Sequence, residues 1–364
     1  MARYVFILLI AIHGLIHFMG FAKAFNYGNI TQLTKNISKQ AGMFWMLTAL
    51  LFIATAILFL IKKDVWPIAA ILATIISQVL IIMVWKDAKF GTVANFIILI
   101  ASLSALASTI FENKYKADVK RQFATDRFST TEILYDTDIS NLPIPVQKYI
   151  RYSGAIGKPK VKNMRVVLAG EMRDKGKDYF KFTTEQYNFF DDPARLFFMK
   201  AKMYGTIVPG YHCYQKATAS MQVKLLGLFD VVNVKGSEMN KAETVTVFND
   251  MCLMAPATLI DKRIEWTTID NLSAKAIFTN QGIKISTILY FNEMGQLVNF
   301  ISDDRYAIND MKQYRFSTPI KTYKKIGDRI ILQYGEGVWH YPEGEFVYGK
   351  FNIISVEYNI TKLE

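Results

Sequence analysis

The chain has 364 residues and a formal net charge of +12, from 43 Lys and Arg against 31 Asp and Glu, a length that suggests two domains. The positive charge is scattered rather than gathered into one stripe, which argues against a nucleic-acid partner and for an anionic membrane surface. Cys213 and Cys252 form neither a disulfide framework nor a metal-type spacing, so disulfide scaffolds and zinc modules drop out.

Four apolar runs open the chain: Tyr4–Phe25, Ala41–Ile61, Val65–Trp85 and Phe90–Phe111. Each exceeds the ~20 residues needed to cross ~30 Å of hydrocarbon. The first is too long for a signal peptide, and His13 and His17 interrupt it. The connections Lys62-Lys63-Asp64 and Lys86-Asp87-Ala88-Lys89 are short, so neighbouring spans run antiparallel. Trp45, Trp66 and Trp85 lie near span ends, where amphipathic rings prefer to sit. Four spans put both termini on one side. That side carries Arg3, Lys62, Lys63, Lys114, Lys116, Lys120 and Arg121, against Lys23, Lys35, Lys39, Lys86 and Lys89 on the other. The bias places termini and soluble domain in the cytoplasm under the positive-inside rule.

His13 and His17 are four apart and share a helix face near mid-span. That spacing suits a metal or haem. It equally suits neutral imidazoles hydrogen-bonded across the bundle to Ser77, Gln78 or Asn95. No other cofactor is expected.

Residues 114–141 read as a brief continuation of the fourth helix followed by a juxtamembrane linker. A short helix follows, with Pro145 in its first turn, Gly154 as its C-terminal cap, and Val146, Tyr149 and Ile150 as its apolar face. From Val161 the period becomes two. Phe197, Met199, Ala201 and Met203 share one face, as do Leu272, Ala274, Ala276 and Phe278. Ile283, Ile285, Leu289 and Phe291 do likewise, and so do Ile354, Val356, Tyr358 and Ile360. Turn signals such as Asn280-Gln281-Gly282 and Pro342-Glu343-Gly344 separate the runs, giving roughly ten to twelve strands. Asn249–Asp261 reads as a second short helix, capped by Asn249 or Asp250 and broken at Pro256.

The predicted architecture is α+β. A four-helix transmembrane bundle (1–113) and the linker precede a mainly antiparallel, strongly curved sheet, half-barrel or barrel-like, over 142–364, with one or two short helices. Two short helices cannot cover so many strands, so the sheet must fold on itself, stack, or enclose a cavity. Its many Phe, Tyr and Met side chains either fill a core or line a lipophilic pocket.

Catalytic motifs are missing: there is no Gly-x-Ser-x-Gly elbow, phosphate loop or dinucleotide fingerprint. No residue is assigned a catalytic role. His212 and Cys213 are adjacent on a strand and point to opposite faces, so they do not pair. Glu185 and Gln186 lie inside an aromatic strand, and either one turned inward needs a partner such as Arg195, Arg305 or Arg165. An inward carboxylate–Arg pair would orient a ligand at a cavity floor or specify the fold. Glu185, Gln186, Arg195 and Arg305 are therefore the candidate ligand-binding residues. Asp303-Asp304-Arg305 reads as a solvated turn with a local ion pair, or as a head-group site.

The blocks LPIPVQKYIRYSGAIG (142–157), Glu185-Gln186, RLFFMKAKMYG (195–205), MQVKLLGL (221–228) and NDMCLMAPATL (249–259) carry a resemblance, extended by 291–305 and 339–351. Together they are similar to an uncharacterised bacterial membrane-protein family with a C-terminal domain of unknown function. The resemblance covers about residues 140–360 and transfers no activity; together with the four spans it leads to the expectation of a multi-pass protein of the bacterial inner membrane. The strand pattern also resembles the half-barrel of LolA/LolB-type carriers, which implies an apolar concavity for acyl chains. Around Trp66-Pro67 and WKDAKFGT (85–92), the front part resembles DoxX-like four-helix membrane proteins.

Three functions fit this pattern. The leading one is a membrane-anchored protein whose β domain holds a lipid or other lipophilic molecule. The others are a redox component using His13 and His17, and an assembly factor acting through protein contacts. Oligomeric state is open.

Overall fold

The computed structural model describes residues 1–125 and 132–363. Two compact units emerge, the first built on residues 1–111 and the second on most of 112–364.

The first unit contains α1 (Ala2–Ala24), α2 (Lys39–Leu60), α3 (Trp66–Met83), the single turn α4 (Trp85–Ala88) and the first part of α5 (Gly91–Thr125). Four of these helices are long and apolar enough to cross a membrane. Small residues let α1 and α2 approach closely: a Cβ on Gly20 would stand 2.1 Å from the Trp45 ring. Outward-facing Leu8, Leu47, Leu72 and Phe96 are exposed, a surface suited to hydrocarbon rather than water. His13, His17, Ser77 and Asn95 face inward and satisfy one another. His13 Nε2 lies 2.9 Å from Asn95 Oδ1. His17 reaches the His13 carbonyl at 2.7 Å and Ser77 Oγ at 2.8 Å.

The second unit begins on α5 itself. The segment expected to become a linker stays helical to Thr125, and Tyr115 and Val119 are fully buried. Positions 126–131 of the expected linker lie outside the described residues. Leu134 and Ile139 then enter the core, the latter on a 3-10 turn at Asp136–Ile139, so this stretch is part of the folded unit. α6 (Ile144–Tyr152) buries Val146, Tyr149 and Ile150 as its spacing requires, and Gly154 (φ +69°) follows it.

Six strands come next: β1 (Asn163–Met172), β2 (Phe180–Phe189), β3 (Ala194–Met203), β4 (Thr206–Gln215), β5 (Thr218–Leu225) and β6 (Phe229–Lys235). After α7 (Ser237–Met254) and a 3-10 turn at Pro256–Ile260 come β7 (Ile264–Thr268), β8 (Ser273–Asn280), β9 (Ile283–Phe291) and β10 (Leu297–Ser302). A small hairpin follows, β11 (Tyr306–Ala307) with β12 (Lys312–Gln313). The chain ends with β13 (Arg315–Ser317), β14 (Ile320–Ile326), β15 (Arg329–Tyr341) and β16 (Gly344–Tyr358). Fourteen of these strands form one sheet, in the order β6-β5-β4-β3-β2-β1-β16-β15-β13-β10-β9-β8-β7, with β14 paired to β15 off that path. Neighbours pair antiparallel, as at β1–β16 and β2–β3.

The structure departs from the sequence expectation at two further places. The helix expected at 249–261 begins twelve residues earlier, at Ser237, and Asn249 and Asp250 are buried interior positions rather than caps. Ile354 does not share a face with Val356. A bulge between Val167 and Leu168 leaves Ile354 outside the pairing and 58% exposed, while Ile353 turns inward.

Curvature follows from what α7 touches. Its 18 residues span ~27 Å. Yet it packs on β6, β5 and β4 and also on β15, β10 and β9. Along the sheet, β6 and β9 are ten strand steps apart, roughly 48 Å at ~4.8 Å per step. The sheet must therefore wrap around the helix. At one end it nearly closes, because Asn280 Nδ2 at the tip of β8 donates to Tyr214 Oη on β4 at 2.7 Å. On the convex face the end of α5 covers β2–β4, with Tyr211 Oη donating to Asp118 at 2.9 Å and the Tyr115 and Phe198 rings 5.2 Å apart.

Candidate ligand-binding site

Wrapping a fourteen-stranded sheet around one helix leaves space that side chains do not fill. Between α7 and the concave face lies a cavity of about 710 Å³, within the ~300–1,000 Å³ range of small-molecule sites. Alternation on β3 sends Phe197, Met199, Ala201 and Met203 into it. Met221 on β5 and Met239 and Met254 on α7 add further flexible, polarisable surface. Near the β3–β4 and β5–β6 turns, Tyr204 and Val231 line the cavity while largely exposed, so the wall continues into an apolar rim.

One polar cluster is sunk into this apolar wall. Arg195 Nε donates to Asp250 at 2.8 Å and Nη1 to Glu243 at 3.2 Å. Nη2 donates to Gln186 Oε1 at 3.0 Å, and Asn188 Nδ2 donates to Asp250 at 3.0 Å. His212 Nδ1 stands 3.4 Å from Glu243 Oε1. Two acids seven residues apart lie two turns apart on one helix face, so a single guanidinium reaches both. Burial acts most strongly on Glu243 and pushes its carboxyl up, but Arg195 and His212 together pull it further down, to about 2. For Asp250 burial wins, and its carboxyl is raised despite Arg195 and Asn188.

These shifts have opposite linkage signs. Glu243, depressed from 4.5 to about 2, contributes stability that is present above 4.5 and lost as pH falls through about 2. The loss is on the order of 3 kcal/mol. Asp250, raised, contributes stability that is present below 3.8 and lost as pH rises through its folded value, which offsets part of the first effect. Glu243→Gln should therefore flatten the acid limb of a stability-versus-pH curve between about 4.5 and 2. Pulse proteolysis of both proteins across that window checks it, and parallel curves would refute it.

Of the four expected ligand-binding residues, three line the cavity: Gln186, Arg195 and Arg305. Glu185 does not join them. It is adjacent to Gln186 on β2 and so faces the convex side, where Arg165 Nε donates to it at 2.8 Å. Cys213 likewise points away from His212, and both cysteines are free. His13 and His17 border a separate cavity of about 340 Å³ in the helical unit, with Trp45 and Asp87. Among the described residues no group of three or more His, Cys, Asp or Glu is placed to hold a metal ion.

The sequence reading missed Glu243, Asp250, Arg173 and Lys175 as cavity residues. The spacing of Glu243 and Asp250 was a usable signal only once both were known to lie on one helix. Asp303 pairs with Arg315 at 2.9 Å and Asp304 with Lys241 at 2.8 Å, the ion pairing of a local charged turn.

Comparison with solved structures finds several distant likenesses. A domain described as an outer membrane lipoprotein-sorting protein domain from Vibrio parahaemolyticus is 10% identical, with TM-score 0.35, over 56% of this chain and 87% of that one. A LolA superfamily protein from Nitrosomonas europaea is 6% identical, with TM-score 0.34, over 59% of this chain and 91% of that one. Scores of this size do not establish a shared fold. No curated protein sequence matches. A family model does match over residues 132–351, from just before the 3-10 turn into β16. The chain belongs to the family of unknown function DUF6544.

Proposed function

We propose that this is a membrane-anchored binding protein whose β domain takes a lipophilic molecule into the cavity around α7. The observation that carries the reading is the cavity itself, about 710 Å³ and walled by Phe197, Met199, Met203, Met221, Met239 and Met254. A space of that size lined by flexible apolar side chains loses dispersion contacts while it is vacant and regains them with an apolar guest. The polar cluster at Arg195 gives the wall a fixed, charged landmark beside the apolar surface. The four long apolar helices supply the anchor.

Photocrosslinking in membranes tests this with the full-length protein. An uncharged lipid analogue with a diazirine in its acyl chain should label peptides covering 195–204 and 237–254. Labelling confined to residues 1–111 would refute the cavity reading while leaving the anchor in place. The Lys/Arg distribution of the spans further supports a cytoplasmic β domain. A reporter active only in the cytoplasm, fused after the last residue, is expected to be active, and activity only from an externally active reporter would reverse the orientation.

A further inference from the structure

One wall of the cavity carries three cations, and two of them, Arg305 and Arg173, have no carboxylate within ion-pair distance among the described residues. Arg305 stacks on the Phe316 ring at 3.8 Å, with Trp339 at 5.2 Å and Tyr348 at 5.9 Å. Arg173 lies over Tyr179 at 4.4 Å and Phe346 at 5.0 Å. Lys175 lies over Tyr341 at 4.0 Å. The aromatic partners are themselves contiguous, Trp339 touching Tyr341 and Tyr348, and Tyr341 touching Phe346. All three cations line the same cavity as the methionines. They gather towards the β1–β2 and β15–β16 turns, at the end opposite the Asn280–Tyr214 closure.

The acids that could quench this charge are engaged elsewhere. Asp303 and Asp304, next to Arg305 in sequence, pair with Arg315 and Lys241. Glu243 is ion-paired with Arg195 at 3.2 Å and feels the Arg305 charge without forming an ion pair with it. Only Lys175 has a carboxylate, Glu343, at 3.1 Å on the exposed side. Among the described residues neither Arg305 nor Arg173 has a carboxylate partner.

Stacking by the face matters chemically. A guanidinium lying on an aromatic ring is held by its face, which leaves its in-plane N–H donors for other partners; Arg173 spends Nε on the Val347 carbonyl at 3.1 Å and keeps its terminal nitrogens for a ligand. Those donors match the paired oxygens of a phosphate or carboxylate. Even the backbone is shaped for the stack: a Cβ on Gly337 would stand 2.4 Å from the Tyr348 ring, so only glycine there lets the ring lie against β15.

We infer that the cavity selects an amphiphile with an anionic head, a phosphate monoester or diester or a carboxylate, gripped by Arg305, Arg173 and Lys175 while its chain lies along the methionine wall. This rests on the cavity reading above and adds the head-group class. Three photoreactive probes with one diazirine-bearing chain and different heads separate the two ideas: phosphate, hydroxyl and trimethylammonium. They are presented to the full-length protein in micelles of an uncharged alkyl-glycoside detergent, which carries no phosphate. The phosphate probe is expected to label peptides 195–204 and 237–254 at least about fivefold more than the hydroxyl probe, and the trimethylammonium probe least. If no probe labels those peptides, the cavity reading fails. If all three label them equally, or the cationic probe labels best, the head-group inference fails alone.

The double variant Arg173→Gln/Arg305→Gln should erase the preference yet keep hydroxyl-probe labelling, which reports an intact cavity. Retained preference would overturn the inference. Should the double variant lose all labelling, Arg305→Lys decides. It keeps the charge but not the planar fork, so the phosphate preference must shrink, and an undiminished preference overturns the assignment. Excess inorganic phosphate should leave phosphate-probe labelling in place. Its loss would mean that a free anion, not an amphiphile, is what the site takes.

Discussion

Arg195→Ala is expected to destabilise the β unit by about 3–5 kcal/mol, because it removes the ion-pair partner that buried Glu243 and Asp250 share. Arg195 is 7% exposed and joins β3 to α7 and to Gln186 on β2 in one set of hydrogen bonds. Water cannot replace a guanidinium at that depth, so the carboxylates must take up protons or α7 must move off the sheet. Hydrogen exchange of the full-length protein, read at the amides of β2–β4 and α7, measures the change as faster local opening. The triple variant Arg195→Met/Glu243→Gln/Asp250→Asn removes the charges together and should recover most of the loss. If Arg195→Ala exchanged like the native protein, the cluster would not hold the helix. Glu185→Gln is the contrasting case. Its partner Arg165 also reaches Glu357 at 3.2 Å, and Glu185 is 28% exposed. A change below about 1 kcal/mol is expected there.

Ligand capture should respond most strongly to lost volume. Ala201 on β3 and Ala242 on α7 face the cavity from its two walls, and both are nearly fully buried. Ala201→Phe/Ala242→Phe places two rings in the space the guest would use and should cut photolabelling of the cavity peptides by about tenfold. Rings forced into packed protein instead would cost about 1–3 kcal/mol each. Hydrogen exchange distinguishes the cases: unchanged protection with lost labelling is the expected result, and undiminished labelling would exclude the cavity as the binding space.

The buried cluster explains why one helix escaped the sequence reading. α7 is covered on nearly every side, so it has no polar face and no amphipathic period to betray it. Two of its acids, Glu243 and Asp250, which would mark a solvated helix face, point inward to Arg195. Asn249 and Asp250 resemble caps in sequence because short polar residues prefer helix starts. Here Asp250 accepts from Gln186, Asn188 and Arg195 instead. The Ile354 bulge was hidden for a related reason, since one extra residue inverts the alternation without leaving a turn signal.

Local chemistry by itself determined the four apolar helices, the Ile144–Tyr152 helix and the inward faces of β3, β8 and β9, because length, caps and period-two alternation are short-range properties. It also required the sheet to curve or stack, since so many strands could not otherwise cover their apolar face. Only the tertiary structure decided which side chains meet. Gln186 and Glu185 are neighbours in sequence but look to opposite sides of the sheet, and Arg195 on β3, His212 on β4, Glu243 and Asp250 on α7 and Arg305 in the β10–β11 loop line one cavity. A pleated strand fixes the parity of each residue. The register, the bulges and the wrap around α7 fix which residues of equal parity share one cavity.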